Sequence, residues 1–498
     1  MAKYRVKTVK MKSAFRVGHC CKWMYMAMVI SLTILISLEL SLYGQLKEKI
    51  SLQKERRGRK HRGILESSND LLRQQESKHA ARSWKSESDS DIKKSKKIFR
   101  TGQRVEKTMD LVEDRVKQGK GGSIYCEGNL EVFNLDIVLM RNVLLDTRQL
   151  KSKIKGGETI QEVMGQDESA EQVTLKPGFF RIPCASIPLQ KFSPRSYFSK
   201  WYLALSEREI DIPSKSTEIS NFTVFIKRGD YANMYWTIIE LYNTFLTIRL
   251  FGKDPKSSSV VLVDAHPLGK LENLWTLLFG NVIRIGSMHG DIFIKEAAWV
   301  IPISASPIGQ AIPSLPFIRD FKMALYKAVG INVIVPMCGK GLNQTIITLI
   351  LRHDYVAHPR NPSGSVKRKI SNEKELIKHL DTKFPGGRLN AVQLDNFSIE
   401  EQIRIIYNTS ILIGVHGAGL ALTILLRPGA SMFEMFPSTY KRSPNQHFQQ
   451  FAVWGGSWYE SWFSNDKLSP KNEWIRIPTE IPTQLIEKSL RRMCNTLT

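Results

Sequence analysis

Between Thr345 and Phe436 the chain repeats one pattern. "TIITLILR" (345–352), "NAVQL" (390–394), "SILIGVHG" (410–417) and the run ending "MFEMF" (432–436) are apolar and of strand length. "NEKELIKHL" (372–380) and "SIEEQIRIIYNT" (398–409), with apolar residues at helical spacing, separate them. Strands joined through helices pair in parallel, and a parallel sheet needs helices on both faces. An earlier unit reads the same way: "TVFIKR" (223–228), a helix over "YWTIIELYNTFLTIRLF" (235–251), then "SVVLVDAH" (259–266). The prolines of "SPIGQAIPSLP" (306–316) divide the two series, and beyond them "FIRDFKMALYKAVG" predicts a helix and "INVIVPM" (331–337) a strand. The expectation is an α/β chain of two facing Rossmann-like domains, residues 121–315 and 316–498. A ligand would lie in the cleft at the carboxyl ends of the strands.

The N-terminal quarter is of another kind. From Trp23 to Tyr43 runs a segment of 21 residues broken only by Glu39, long enough to span a bilayer as a helix. Seven basic and no acidic residues precede it, so residues 1–22 are expected in the cytosol and the remainder in a lumen or outside the cell. A cleaved signal peptide is the competing reading, but its apolar core is usually shorter. Residues 44–120 are rich in Lys, Arg, Ser, Glu and Gln and read as a solvated stem. Of the formal net charge of +25, the first 23 residues carry +7 and the stem +10. The basic excess therefore belongs mainly to tail and stem, where aromatics are sparse, and argues against a nucleic-acid partner.

Cys20 and Cys21 sit at the cytosolic membrane edge, where palmitoylation or an inert thiol would fit equally. Cys126, Cys184, Cys338 and Cys494 would be luminal and could form two disulfides in any of three connectivities. Glycosylation sequons begin at Asn221, Asn343, Asn396 and Asn408, as suits such a compartment.

The chemistry concentrates late in the chain. His416, Gly417, Ala418 and Gly419 fall where a strand gives way to a helix; such a turn is either structural punctuation or a phosphate cradle made by backbone N–H groups and the helix dipole. Two further features favour the cradle. Glu434 ends the next strand, where a carboxylate can accept hydrogen bonds from a ribose diol, and Arg352 and Arg368 can neutralise a pyrophosphate. Arg360 and Lys367 are equally readable as solvated loop charge. Asp89 and Asp91 have the DxD spacing that holds a divalent ion but lie in the stem, and no such pair or Cys/His cluster follows residue 121, so no metal cofactor is expected.

These segments resemble glycosyltransferase family 61, in "LIGVHGAGL", "EQIRIIYNTSILIG", the Arg-to-"NE" segment and the Glu of "MFEMF". "CEGNLEVFNLDIVL", "GGETIQEVMG", "LVDAHPLGKLENLWTLLF" and "RHDYVAHPR" are most similar to the branch that adds β-1,2-xylose to N-glycan cores, with the O-GlcNAc transferases of EGF domains as the sister branch. The resemblance implies a GT-B fold, inverting metal-independent transfer from a UDP-sugar, a glycoprotein or N-glycan acceptor, and a single-pass type II anchor in the Golgi, with the ER as the alternative. It also implies a histidine four positions before Glu240, where this chain has Trp236. That departure leaves room for a UDP-binding lectin or scaffold that has lost its chemistry. For the base that inverting transfer requires, Asp264 and Glu240 are the candidates. Trp275, Trp454 and Trp458 read as core or as sugar-stacking platforms.

Overall fold

The computed structural model describes residues 123–495, apart from 134–136, 193–197, 210–215, 309–311, 313, 336, 338–341, 443–446 and 466–473. The expected tail, anchor and stem, with Cys20, Cys21, Asp89 and Asp91, lie outside the described residues. So do the side chains of Cys338 and Cys494. Among the described residues no helix is long and apolar enough to cross a membrane.

Two sheets organise this body. The first has ten strands, five of which position the site: β1 (Ile137–Asp146), β2 (Thr223–Ile226), β3 (Ser259–Leu262), β4 (Asn281–Arg284) and β5 (Asp291–Trp299). They lie in the order β1-β5-β2-β3-β4, with β5, β2, β3 and β4 parallel and β1 antiparallel to β5. The second sheet is wholly parallel. Its strands are β6 (Ile346–Ile350), β7 (Arg388–Val392), β8 (Ile411–Val415), β9 (Ser431–Phe436) and β10 (Trp458–Phe463), in the order β7-β6-β8-β9-β10.

Five helices cover these sheets near the cleft: α1 (Met234–Leu250), α2 (Ile318–Ala328), α3 (Glu373–Lys383), α4 (Ile399–Asn408) and α5 (His447–Gly455). Local sequence sets their ends. The Asn233 side chain accepts from Tyr235 N–H at the start of α1, and Ser398 and Glu401 close a reciprocal capping box at the start of α4. Successive side chains of a strand point opposite ways, and in β8 both sets are buried. Leu412 of β8 joins one core, while Ile411, Ile413 and Val415 join another with Leu376 and Leu380 of α3.

The first of these cores is shared by the two sheets. It runs from Val224 and Leu262 through Ile238 and Leu246 of α1 to Leu420, Ile424 and Phe451 of the second half. Lys322 of α2 reinforces the junction: its buried ammonium donates to the carbonyls of Leu426 (2.7 Å) and Gly455 (2.9 Å). Burial pushes its pKa down to about 8.

Two expected elements differ. Residues 331–335 form no strand; Val333 and Val335 are exposed, and neither sheet adds the segment to an edge. After β8 the chain enters a 3₁₀ helix, Ala418–Leu425, in place of an α-helix. Cys126 and Cys184 form a disulfide. All four sequon asparagines are exposed.

Candidate active site

Gly417 at the end of β8 has extended backbone (φ 174°), a conformation open to any residue. What excludes a side chain is space, since a Cβ there would collide with the Arg352 guanidinium. Gly419 differs: a Cβ on it would meet only Leu394 Cδ1, at an ordinary 3.8 Å. Strand β6 delivers Arg352 to this position, where its Nε donates to the carbonyl of Lys367 (3.1 Å). Burial, together with the nearby Arg368, lowers the Arg352 pKa to about 10. Arg368 itself has positive φ (66°), uncommon for a residue with a side chain, and its Nη1 donates to the Tyr440 hydroxyl (3.2 Å). Among the described residues neither arginine forms an ion pair. Two neighbouring guanidiniums without an ion-paired carboxylate favour a bound anion.

His416 completes this wall. Its ring stacks on Phe436 (centroids 4.9 Å apart) and contacts Tyr440 and Phe448. Its Nδ1 donates to Glu434, whose other oxygen accepts from the Tyr459 hydroxyl (2.7 Å). Burial and Glu434 both raise the Tyr459 pKa, which keeps that hydroxyl a donor. Glu434 is 0% exposed. Both oxygens of Glu434, the residue expected to meet a ribose, are engaged by His416 and Tyr459, and these contacts fix the His416 ring.

Beside the wall opens a cavity of about 320 Å³, largely apolar. Met234, Leu268 and Lys270 line it from the first half, and Arg352, Asp395, Ala418 and Gly419 from the second. The loop between Arg352 and Arg368 is tied to the first half. Arg360 pairs with buried Glu171 (3.0 Å), His358 Nε2 lies 3.4 Å from Asp230, and the Gly165 N–H donates to the carbonyl of Pro359. Lys270 Nζ donates to the Asp395 carbonyl (2.9 Å), a further bond across the cleft. Of the two loop charges left open by sequence, Arg360 is therefore structural, whereas Lys367 is exposed and contributes its carbonyl to Arg352.

Neither carboxylate expected to be the base is among the residues that line the cavity. Asp264 is held by Arg228 through two hydrogen bonds, of 2.9 and 2.7 Å. Burial alone would raise its pKa, but Arg228 holds it well below the usual carboxylate range. Glu240 accepts from the Gly229 N–H (2.6 Å), and burial raises it to about 8, so it is protonated at neutral pH. Trp275 and Trp454 are buried in the core, whereas Trp458 is exposed, with Arg492 over its ring (5.2 Å). Among the described residues no group of three or more His, Cys, Asp or Glu could hold a metal ion.

Several site residues carry no mark in the sequence. Tyr440 and Tyr459 lie in unremarkable local contexts and become partners of Arg368 and Glu434 only through the fold. His447, at the start of α5, is another. Its ring lies 4.9 Å from that of Tyr235 in the first turn of α1, and burial and the neighbouring His416 lower its pKa.

The family model described as Glycosyltransferase 61 matches residues 185–433, half of the chain. The chain belongs to this family. It is a glycosyltransferase. It is 26% identical over 377 residues to the β-1,2-xylosyltransferase RCN11 of Oryza sativa subsp. japonica, covering 68% of this chain and 69% of the relative. To the β-1,2-xylosyltransferase of Arabidopsis thaliana it is 24% identical over 448 residues, covering 73% and 80%. The EGF domain-specific O-linked N-acetylglucosamine transferase of Rattus norvegicus is 24% identical over 300 residues, covering 57% and 53%. In this family 61 glycosyltransferase the matched region holds Arg352, Arg368 and the His416–Gly419 turn, and ends one residue before Glu434.

Proposed function

We propose that this glycosyltransferase moves xylose from UDP-xylose to the core mannose of N-glycans, with inversion at the anomeric carbon. The observation that carries the donor half is the seating of Arg352 against Gly417, near Arg368 and without an ion-pair partner among the described residues. In this reading Arg352, Arg368, His416 and the amides at Gly417, Ala418 and Gly419 take the diphosphate. The largely apolar cavity beside them takes the uridine. The charge that builds on the departing diphosphate is met by guanidiniums and backbone dipoles, so no metal is required. The xylosyltransferase names of the relatives from rice and Arabidopsis support the choice of sugar and acceptor.

The acceptor hydroxyl must lose a proton as it attacks. With Asp264 ion-paired and Glu240 protonated, the base we assign is His447. It brings an imidazole to the start of α1, beside Tyr235, where the sequence has Trp236 in place of the expected histidine. Its lowered pKa leaves it uncharged at neutral pH.

The wider arrangement follows the same reading: a GT-B pair of domains, 121–315 for the acceptor and 316–498 for the nucleotide sugar, behind a 23–43 anchor and a 44–120 stem. The location is the Golgi membrane, with the body luminal. The exposed sequons and the Cys126–Cys184 disulfide support a luminal body. Full-length protein incubated with a panel of UDP-sugars and an N-glycan acceptor tests the proposal. The expected outcome is xylose transfer from UDP-xylose. Transfer of N-acetylglucosamine to Ser or Thr of an EGF repeat instead would replace the reading with that of the sister relatives.

A further inference from the structure

A second depression, of about 640 Å³, adjoins the first. It lies over the first turn of α3 and a short two-stranded ribbon in which Lys369 and Ile370 pair with Trp474 and Ile475. His353 lines both depressions, which therefore meet at this side chain. Trp474 is 47% exposed at its edge. Lys369 lies over its ring (5.2 Å) and is held there by Asp354 (2.6 Å).

The charged side chains around the ring balance, Lys369, Lys374 and Arg476 against Asp354, Glu373 and Glu375; His353 lies 2.8 Å from Glu373 and Arg476 pairs with Glu375 (3.0 Å), both partly open to solvent. Such pairs present donors and acceptors side by side with little net field. They suit vicinal hydroxyls better than a charged ligand, and an exposed indole suits the apolar face of a pyranose ring. A peptide of either sign would gain little from this balance.

We infer that this shelf binds the oligosaccharide of the acceptor, with a sugar ring against Trp474 and hydroxyls on the Glu373 and Glu375 pairs. Recognition of the acceptor thus draws on the edge of the second sheet's half as well as on the first half. This inference rests on reading the adjoining cavity as the donor site.

The test uses full-length protein in detergent, without donor, and free trimannosyl N-glycan core oligosaccharide followed by saturation-transfer NMR; UDP binding is measured in parallel. Trp474→Ala is expected to weaken oligosaccharide binding about tenfold, which is about 1.4 kcal/mol, to leave UDP affinity unchanged, and to be rescued by Trp474→Phe, which keeps a ring to stack on. Unchanged oligosaccharide binding in Trp474→Ala overturns the inference. So does a wild-type protein that binds no oligosaccharide, or one that binds an EGF-repeat peptide through Trp474. Loss of UDP binding by the wild-type protein instead sinks the donor reading, and the oligosaccharide arm is read separately.

Discussion

The Arg352 guanidinium occupies the space that a side chain on Gly417 would need. The glycine serves the arginine, and the arginine in turn lies buried close to Arg368. Gly417→Ala should therefore displace Arg352 and weaken UDP binding, whereas Gly419→Ala makes only an ordinary contact with Leu394 and should fold normally. Isothermal titration with UDP checks this. The expectation is a loss of about tenfold or more for Gly417→Ala, the scale of one charge-assisted hydrogen bond, with a smaller loss for Gly419→Ala. Equal affinities would remove the steric account.

Glu240 should make stability depend on pH. Its folded pKa of about 8 lies above the ordinary 4.5, so the folded state holds the proton more tightly. Its contribution is fully present below pH 4.5 and is lost as pH rises through 8. At pH 7.4 the difference is about 4 kcal/mol. Glu240→Gln, a neutral isostere that can still accept from Gly229, should match the wild type at pH 5 and exceed it in denaturant midpoint above pH 8. A constant difference across that range would show that the carboxyl is not protonated in the fold.

Lys322 works in a separate window. Its folded pKa of about 8 lies below the ordinary 10.5, so the unfolded state binds more protons between those values and the lysine's contribution to stability grows as pH rises from 8 to 10.5. Lys322→Met removes this dependence and leaves the Leu426 and Gly455 carbonyls unpartnered, at a cost of about 1–3 kcal/mol each. Chemical denaturation at pH 7 and at pH 10 should show the larger deficit at pH 10.

What could be read from the sequence divides along a physical line. The alternation that builds the second sheet is local, so β6 to β9 and the helices α3 and α4 were legible, as was the meeting of Arg352 with the His416–Gly419 turn at strand ends. Electrostatic fate was not. Asp264 follows β3 and Glu240 lies in α1, yet one is clamped by Arg228 and the other is neutralised by burial. Those outcomes depend on partners distant in the chain. Glu434 belongs with them, because its orientation is decided by His416 and Tyr459 on either side. "INVIVPM" misled because β-branched residues suggest a strand even where no sheet edge receives one.

Removing the Tyr459 hydroxyl separates support of His416 from catalysis. Tyr459→Phe leaves one Glu434 oxygen buried without its partner, at about 1–3 kcal/mol, and loosens the ring that Glu434 holds. The expected kinetic result is a raised KM for the donor with a smaller change in kcat, since the proposed diphosphate site includes His416. A fall in kcat at unchanged KM would move His416 from binding to proton transfer.

His447 should show the opposite split. An imidazole that takes the acceptor proton lowers kcat by about 10²–10⁴-fold when replaced, and leaves donor binding intact. His447→Gln is therefore expected to bind UDP as the wild type does and to turn over far more slowly. The pH profile adds a second reading. Burial and His416 place the His447 pKa below its ordinary 6.5, so wild-type kcat/KM should hold from neutral pH down past 6.5 and fall only when the imidazole gains its proton. In His447→Gln that acid limb should disappear from whatever activity is left. If the limb persists, the proton goes elsewhere, and the nearby histidine with a fixed ring, His416, becomes the group to substitute next.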